Sequence, residues 1–102
     1  MPIRSFADQP TADIWNGLDT KDARTLPKEI WESAYRKLVI LNTATSLLTL
    51  GKINSLGFES LKANRPGFYS IRVNLRYRIL FMWKDGNAYV VSIENYHGRT
   101  TS

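Results

Sequence analysis

The residues best suited to chemistry are basic and aromatic side chains in the last third of the chain. Arg72, Arg76 and Arg78 follow one another at short intervals, and Tyr96 and His97 stand side by side further on. An arginine side chain can hold two oxygens of a phosphate group at once. A tyrosine can stack on a base or take part in proton transfer, and histidine is the one side chain whose unperturbed pKa lies near neutrality. The arginines therefore suit binding of a phosphate-containing polymer, and the tyrosine and histidine suit proton transfer to or from it.

The net charge of +5 is concentrated in the same half of the chain. Residues 1–50 contain six Lys or Arg and six Asp or Glu, whereas residues 51–102 contain eight Lys or Arg and three Asp or Glu. A basic surface of this kind favours binding of a polyanion, and nucleic acid is the most common polyanionic partner. The alternative is a solvated face whose charges keep strands from pairing with other chains. Composition leaves both interpretations open.

Composition also excludes several classes of protein. With 102 residues, we expect one domain over residues 1–102. The chain has no cysteine and a single histidine, which excludes a disulfide framework, a thiolate metal site and a multi-histidine zinc site. No metal site of these kinds is therefore expected. Because no apolar run approaches the length of a membrane span and no charged-then-apolar leader is present, we expect a cytoplasmic protein without membrane contact.

Three segments in the last third show the alternation of β-strands, namely residues 67–74, 76–83 and 88–97. One face of the second segment consists of Tyr77, Ile79, Phe81 and Trp83. We expect this apolar face to be buried. The opposite face of the sheet then collects charged and polar side chains, which are Arg72, Arg76, Arg78, Glu94 and Tyr96.

The hairpin between the last two strands is marked by the turn sequence Lys-Asp-Gly-Asn over residues 84–87. A two-residue turn would pair Phe81 with Val90 and divide the apolar residues between the two faces, because a shift of one residue turns every side chain over. We therefore predict a three-residue loop over residues 85–87. The resulting pairs are Phe81 with Val91, Ile79 with Ile93, Arg78 with Glu94, and Arg76 with Tyr96.

The first half of the chain has the features of a helical scaffold. Pro10 and Thr11 predict the start of a first helix, with Thr11 as its N-cap. Pro27 predicts the start of the longest helix, which we expect to continue to Gly51. Each helix carries an apolar stripe that is typical of packing in a core. Residues 59–62 are predicted as a short strand.

Several runs of residues, spread over nearly the whole chain, form a recognisable pattern. They lie at residues 26–30, 34–38, 41–44, 61–62, 67–74, 77–79 and 94–97. The most specific are Tyr-Ser-Ile-Arg-Val-Asn over residues 69–74, the aromatic-Arg-Ile of residues 77–79, and the final Tyr96-His97. In these runs the chain resembles the HigB branch of the RelE/ParE toxin superfamily.

This resemblance implies a RelE-like α+β fold, with two N-terminal helices packed on one face of a small, mainly antiparallel sheet that ends in a three-stranded C-terminal meander. It also implies the toxin of a type II toxin–antitoxin system, a ribosome-dependent endoribonuclease that cuts mRNA in the A site of the 30S subunit and inhibits translation. The implied partner is a HigA-like helix-turn-helix antitoxin. The toxin is expected to reach operator DNA only indirectly, through this antitoxin. Two alternatives stay open, a ParE-like gyrase inhibitor without nuclease activity and a non-catalytic RNA-binding module.

The implied cleavage needs no metal and no cofactor, because the RNA's own 2′-OH attacks the neighbouring phosphate while the protein orients the RNA, moves protons and neutralises charge. The predicted catalytic residues are Glu59, Arg72, Tyr96 and His97, and the predicted substrate-binding residues are Lys62, Arg65, Arg76 and Arg78. Glu59 stands where some relatives have histidine, and Asn64 and Asn95 stand where the family usually has acidic residues. The identity of the general base therefore stays open.

Overall fold

The computed structural model describes residues 2–61 and 65–95, which form an α+β fold with one antiparallel sheet. The helices are α1 (Gln9–Trp15), α2 (Trp31–Thr43) and α3 (Leu47–Gly51), and 3-10 turns lie at Ala23–Thr25, Lys28–Ile30 and Asn54–Leu56. The strands are β1 (Glu59–Leu61), β2 (Phe68–Arg72), β3 (Tyr77–Lys84) and β4 (Asn87–Asn95). Each strand pairs with the next in the order β1-β2-β3-β4. The short strand predicted ahead of the meander is present, so the sheet has four strands.

Helix α1 begins one turn earlier than the sequence pattern predicted. Its N-cap is Asp8, whose carboxylate accepts a hydrogen bond from the backbone N of Thr11 at 2.9 Å. The prediction of Thr11 as the cap was wrong, because Thr11 lies inside the helix and is fully buried. Its hydroxyl accepts a hydrogen bond from the backbone N of Ile93 at 3.0 Å. Thr11 therefore joins α1 to the last strand.

The predicted long helix up to Gly51 is in fact two helices. Helix α2 ends at Thr43, and Ala44 takes an extended conformation with φ −66° and ψ 139°. Ser46 then caps α3 by accepting a hydrogen bond from the backbone N of Thr49 at 3.2 Å. Ser and Thr side chains offer the backbone such local partners outside a helix, which is why this polar stretch breaks the helix although its neighbours are good helix formers.

The hairpin between β3 and β4 combines a tight turn with a bulge. Lys84 pairs with Asn87 around a two-residue turn whose central residues, Asp85 and Gly86, have φ values of 53° and 78°. The predicted three-residue loop was therefore wrong. However, the register shifts by one residue between Leu80 and Met82, where β4 contributes an extra residue.

Beyond the bulge, the predicted pairing is restored. Ile79 lies opposite Ile93, and Arg78 lies opposite Glu94. The bulge contains Val90, which has a positive φ of 47°, a conformation that is unusual for a β-branched residue. Its backbone N donates to the hydroxyl of Ser5 at 2.8 Å. Ser5 in the N-terminal segment therefore stabilises the bulge, where the pairing register of β3 and β4 changes by one residue.

The hydrophobic core lies between the helices and one face of the sheet. The helix α2 residues Ala34, Leu38 and Leu41 and the sheet residues Ile71, Ile79, Phe81 and Val91 are completely buried there. Tyr77 and Trp83 pack against this core, so the predicted apolar face of β3 is confirmed. Within residues 2–61 and 65–95, no helix combines the length and the apolar character needed to cross a bilayer.

Candidate active site

The sheet face opposite the helices brings the candidate polar residues together. Residues directly opposite one another in paired strands project to the same side of a sheet. One row across the four strands consists of Glu59, Ser70, Leu80 and Ser92. The neighbouring row across β2, β3 and β4 consists of Arg72, Arg78 and Glu94. The predicted shared face for these last three residues is confirmed.

Arg78 lies beneath this face and is held by several protein atoms. It is only 6% exposed, although it lies on the polar face that the sequence pattern predicted for it. Its Nε donates to the hydroxyl of Ser70 at 2.8 Å, and its Nη2 donates to the backbone carbonyl of Gly57. Because guanidinium stays charged in proteins, Arg78 places a fixed positive charge under the surface.

Arg72 is exposed and lies beside the same glycine. A Cβ atom added to Gly57 would lie 3.1 Å from Cζ and 3.1 Å from Nη2 of Arg72. The guanidinium of Arg72 therefore rests against the bare Cα of Gly57. Since Arg72 and Arg78 are also direct neighbours across β2 and β3, one exposed cation and one buried cation lie together.

Arg65 and Glu94 form a two-pronged ion pair above the far end of the face. Nη1 and Nη2 of Arg65 lie 2.9 and 3.0 Å from the two carboxylate oxygens of Glu94. The hydroxyl of Ser92 donates to the same carboxylate at 2.7 Å. The guanidinium carbon of Arg65 also lies 5.5 Å from the centre of the Phe68 ring. This pair connects the turn before β2 to the end of β4.

Glu59 and Arg76 lie at the margins of the face. The Glu59 side chain is 54% exposed, and its carboxylate lies 3.9 Å from Nη2 of Arg78. Arg76 is exposed in the bend before β3, where its backbone N donates to the side chain of Asn74 at 2.8 Å. Glu59 therefore contributes a solvent-accessible carboxylate next to the buried arginine, whereas Arg76 stands just outside the strand pairing.

Some of the predicted site residues cannot be placed on this face. Lys62, Tyr96 and His97 lie outside the described residues, and so does Asn64. Asn95 is the last described residue of β4 and pairs with Tyr77. The C-terminal strand therefore runs along the site up to the residue before Tyr96.

The residues that hold the charged side chains of this face were not among the predicted site residues. Ser70 and Ser92 supply buried hydroxyls on the arginine side of the sheet, and their alternation with core residues was a usable signal. Gly57 was missed as well. A glycine at this place predicts only the end of a helical turn, and nothing in the local sequence predicts its position beside the arginines.

A second concave surface lies on the helical side of the molecule and carries different residues. It encloses about 340 Å³ and is lined by Ile14, Gly17, Leu18, Asp19, Trp31, Glu32 and Tyr35. The hydrogen bond from Lys28, together with the charge of Arg24, lowers the pKa of Asp19. Of the predicted site residues that the structure describes, none lines this groove.

Comparison with known proteins identifies the family. Residues 4–97 match the family model described as the RelE-like toxin of type II toxin-antitoxin system HigB. The chain belongs to the HigB-like toxin family. The resemblance drawn from the sequence runs is thereby confirmed, and the α+β fold with its antiparallel sheet is compatible with it. As the toxin of a type II toxin-antitoxin system, this HigB-like toxin has a cognate antitoxin as partner.

Two curated relatives support the assignment. Toxin HigB-1 of Vibrio cholerae serotype O1 is 41% identical over 70 residues, which cover 69% of this HigB-like toxin and 74% of the relative. Endoribonuclease HigB of Proteus vulgaris is 35% identical over 63 residues, which cover 60% of this chain and 65% of the relative.

Proposed function

We propose that this HigB-like toxin is an mRNA endoribonuclease that cleaves by attack of the RNA 2′-OH on the adjacent phosphate. The observation that carries the proposal is the pair of arginines on the outer sheet face, with Arg72 exposed and Arg78 buried beside it. The carboxylate of Glu59 lies 3.9 Å from Nη2 of Arg78. The name of the Proteus vulgaris relative, an endoribonuclease, supports the same activity.

Each step of this reaction has a suitable group. As the 2′-OH attacks, its proton passes to a base, for which we propose the exposed carboxylate of Glu59. The new bond from the 2′ oxygen to phosphorus adds negative charge to the phosphate oxygens, and Arg72 contacts them. Arg78 adds attraction from below, where the low exposure of its charge limits screening by solvent. The bond to the 5′ oxygen then breaks, leaving a cyclic phosphate and a 5′-hydroxyl.

The remaining predicted residues have roles at the edges of the reaction. We assign the protonation of the leaving 5′ oxygen to His97, and stacking on a base or proton transfer to Tyr96. Lys62, Arg65 and Arg76 would hold neighbouring phosphates. Because such contacts release counterions from the RNA, binding should weaken as the salt concentration rises. The reaction as written uses side chains and the RNA hydroxyl, without a metal or cofactor.

The proposed biological setting follows from the family. We place the toxin on mRNA in the A site of the 30S ribosomal subunit, and therefore in the cytoplasm, with inhibition of translation as the result. Its cognate antitoxin is proposed to be a HigA-like helix-turn-helix protein that carries the complex to operator DNA. The described residues share one hydrophobic core, which supports a single toxin domain over residues 1–102.

The test is to map mRNA 5′ ends after a brief induction of the toxin. Wild type should produce new ends inside translated frames. Arg72→Ala should reduce them by about 100-fold or more, the usual effect of removing one donor that stabilises transition-state charge. Arg36→Ala is the matched control, because Arg36 is an exposed arginine paired with Glu32 on α2, away from the sheet face.

The same experiment separates the proposal from its alternatives. Growth arrest without new 5′ ends, accompanied by a DNA-damage response, would instead indicate gyrase inhibition. Equal cleavage by wild type and Arg72→Ala would show that the arginine face is not the site. The third alternative needs a separate assay: purified toxin that binds RNA but does not cleave mRNA on programmed ribosomes would be only a binding module.

A further inference from the structure

Gly57 is the residue at which the two arginines of the sheet face meet the rest of the fold. It ends the 3-10 turn Asn54–Leu56 with φ 54° and ψ 43°, the left-handed conformation that glycine adopts without steric cost. Its carbonyl accepts a hydrogen bond from Nη2 of Arg78. Its Cα faces the guanidinium of Arg72. One backbone unit therefore touches both cations.

The space above Gly57 is too small for a side chain while Arg72 keeps its place. An added Cβ would lie 3.1 Å from Cζ and Nη2 of Arg72 and 3.4 Å from its Nε. Ordinary contacts of a Cβ with other heavy atoms are longer, so a substitution has to displace one of the two groups. Arg72 is exposed, and its long side chain has several rotatable bonds, so the guanidinium is the group that moves.

We propose that Gly57 is a positioning residue that sets the location of both arginines, with its carbonyl holding Arg78 and its bare Cα supporting Arg72. The two functions are separable. A side chain at position 57 removes the support for Arg72, whereas the carbonyl that binds Arg78 is part of the backbone and stays. This inference rests on the proposed nuclease function, because its consequence is measured as cleavage.

The expected effect is on the rate of the chemical step. A catalytic group misplaced by less than about 1 Å can slow a reaction substantially, and we expect Gly57→Ala to lower the single-turnover cleavage rate about tenfold. The toxin concentration that gives half of the maximal rate should change little, since the other basic residues still hold the RNA. The measurement uses purified toxin in excess over ribosomes programmed with a defined mRNA.

Gly17→Ala is a matched control for backbone strain. Gly17 also has a positive φ, 73°, but a Cβ added there would meet nothing within 4 Å. Both substitutions force alanine into a left-handed conformation, so both should lower the midpoint of urea unfolding. Only Gly57→Ala should slow cleavage. An equal loss of rate in the two variants would assign the effect to strain or instability and overturn the positioning role.

A second comparison separates strain from displacement at position 57 itself. Asparagine tolerates the left-handed conformation better than alanine does, yet it is larger. If displacement of Arg72 decides the rate, Gly57→Asn will be at least as slow as Gly57→Ala although it is more stable. If strain decides it, Gly57→Asn will be faster, and the proposal fails.

The effect should also depend on the side chain of Arg72. In an Arg72→Ala background, adding Gly57→Ala should cause little further loss of rate, because the displaced group is already gone. A full additional loss would show that Gly57 acts through another residue. Failure of the proposed function has a different signature, since wild type would then not cleave at all; cleavage by wild type with unchanged rates in the Gly57 variants would overturn this inference alone.

Discussion

The buried position of Arg78 makes its removal the sharpest test of how the site is held together. In Arg78→Met the apolar length of the side chain is kept and the guanidinium is lost. The hydroxyl of Ser70, which is fully buried, and the carbonyl of Gly57 each lose a charged donor. The change therefore removes hydrogen bonds while leaving most of the packing in place.

The magnitude follows from the groups left without that donor. A buried polar group that loses its partner costs about 1–3 kcal/mol, and the part-buried carbonyl of Gly57 costs less than a buried one, so the two groups together cost about 2–5 kcal/mol. Removing the buried charge recovers part of its desolvation penalty, which places the net loss at the lower half of that range, about 3 kcal/mol. In a domain of this size the melting temperature should fall by roughly 12–24 °C.

Arg65→Met provides the comparison. The Arg65 side chain is 42% exposed, and after its removal the carboxylate of Glu94, which is 31% exposed, still reaches water and the hydroxyl of Ser92. An exposed ion pair of this kind contributes up to about 1 kcal/mol. Despite its ideal two-pronged geometry, the Arg65 pair should therefore matter less for stability than the single buried arginine.

The assay is urea unfolding at neutral pH, followed by the fluorescence of the three tryptophans. The difference in unfolding free energy between the two variants should be about 2 kcal/mol or more, with Arg78→Met the less stable. Equal stability of the two variants would contradict this expectation, because it would mean that burial of the Arg78 hydrogen bonds contributes nothing to the free energy of unfolding.

Two further predictions concern the edges of the fold. Ser5→Ala removes the acceptor of the Val90 backbone N at the bulge, so it should cost about 1–2 kcal/mol of unfolding free energy and speed hydrogen exchange at the Val90 amide; unchanged exchange would contradict the supporting role of Ser5. Asp19→Asn should lower stability at neutral pH and low salt, because the hydrogen bond from Lys28 lowers the folded-state pKa of Asp19. That contribution exists above the ordinary carboxyl pKa and is lost as the pH falls through the lowered value, so the two urea midpoints should converge in acid; a gap that persists there would rule out the charge interaction as its cause.

Local patterns in the sequence were sufficient for the strands and for the face on which the arginines lie. The alternation of β3 placed Ile79 and Phe81 in the core and Arg78 on the other side, and the alternation of β2 placed Arg72 on that same side. This works because the side-chain period of a strand is a local property. The family resemblance was likewise carried by short runs of residues and is confirmed over residues 4–97.

In the hairpin between β3 and β4, the pairing of Ile79 with Ile93 was predicted correctly although the predicted turn was wrong. The apolar pattern required Ile79 to face Ile93, and the structure has this pair. However, the turn sequence formed its preferred two-residue geometry, and the extra residue was absorbed at Val90 instead. The bulge shifts the register by one residue, so the two-residue turn and the packing of the core are compatible. Ser5, from the far end of the chain, accepts a hydrogen bond from the backbone N of Val90 in this bulge.

Short-range patterns in the sequence were enough to predict the α+β class, the strand faces, the family and the set of basic residues. Three features emerged only in the folded structure, namely the burial of Arg78, the ion pair of Glu94 with Arg65, and the position of Gly57 against both central arginines. Periodicity and turn preference act between near neighbours in the chain, so they can be recognised locally. The environment of a guanidinium depends instead on distant segments, such as the turn before β1, that pack onto the sheet only once the whole chain has folded.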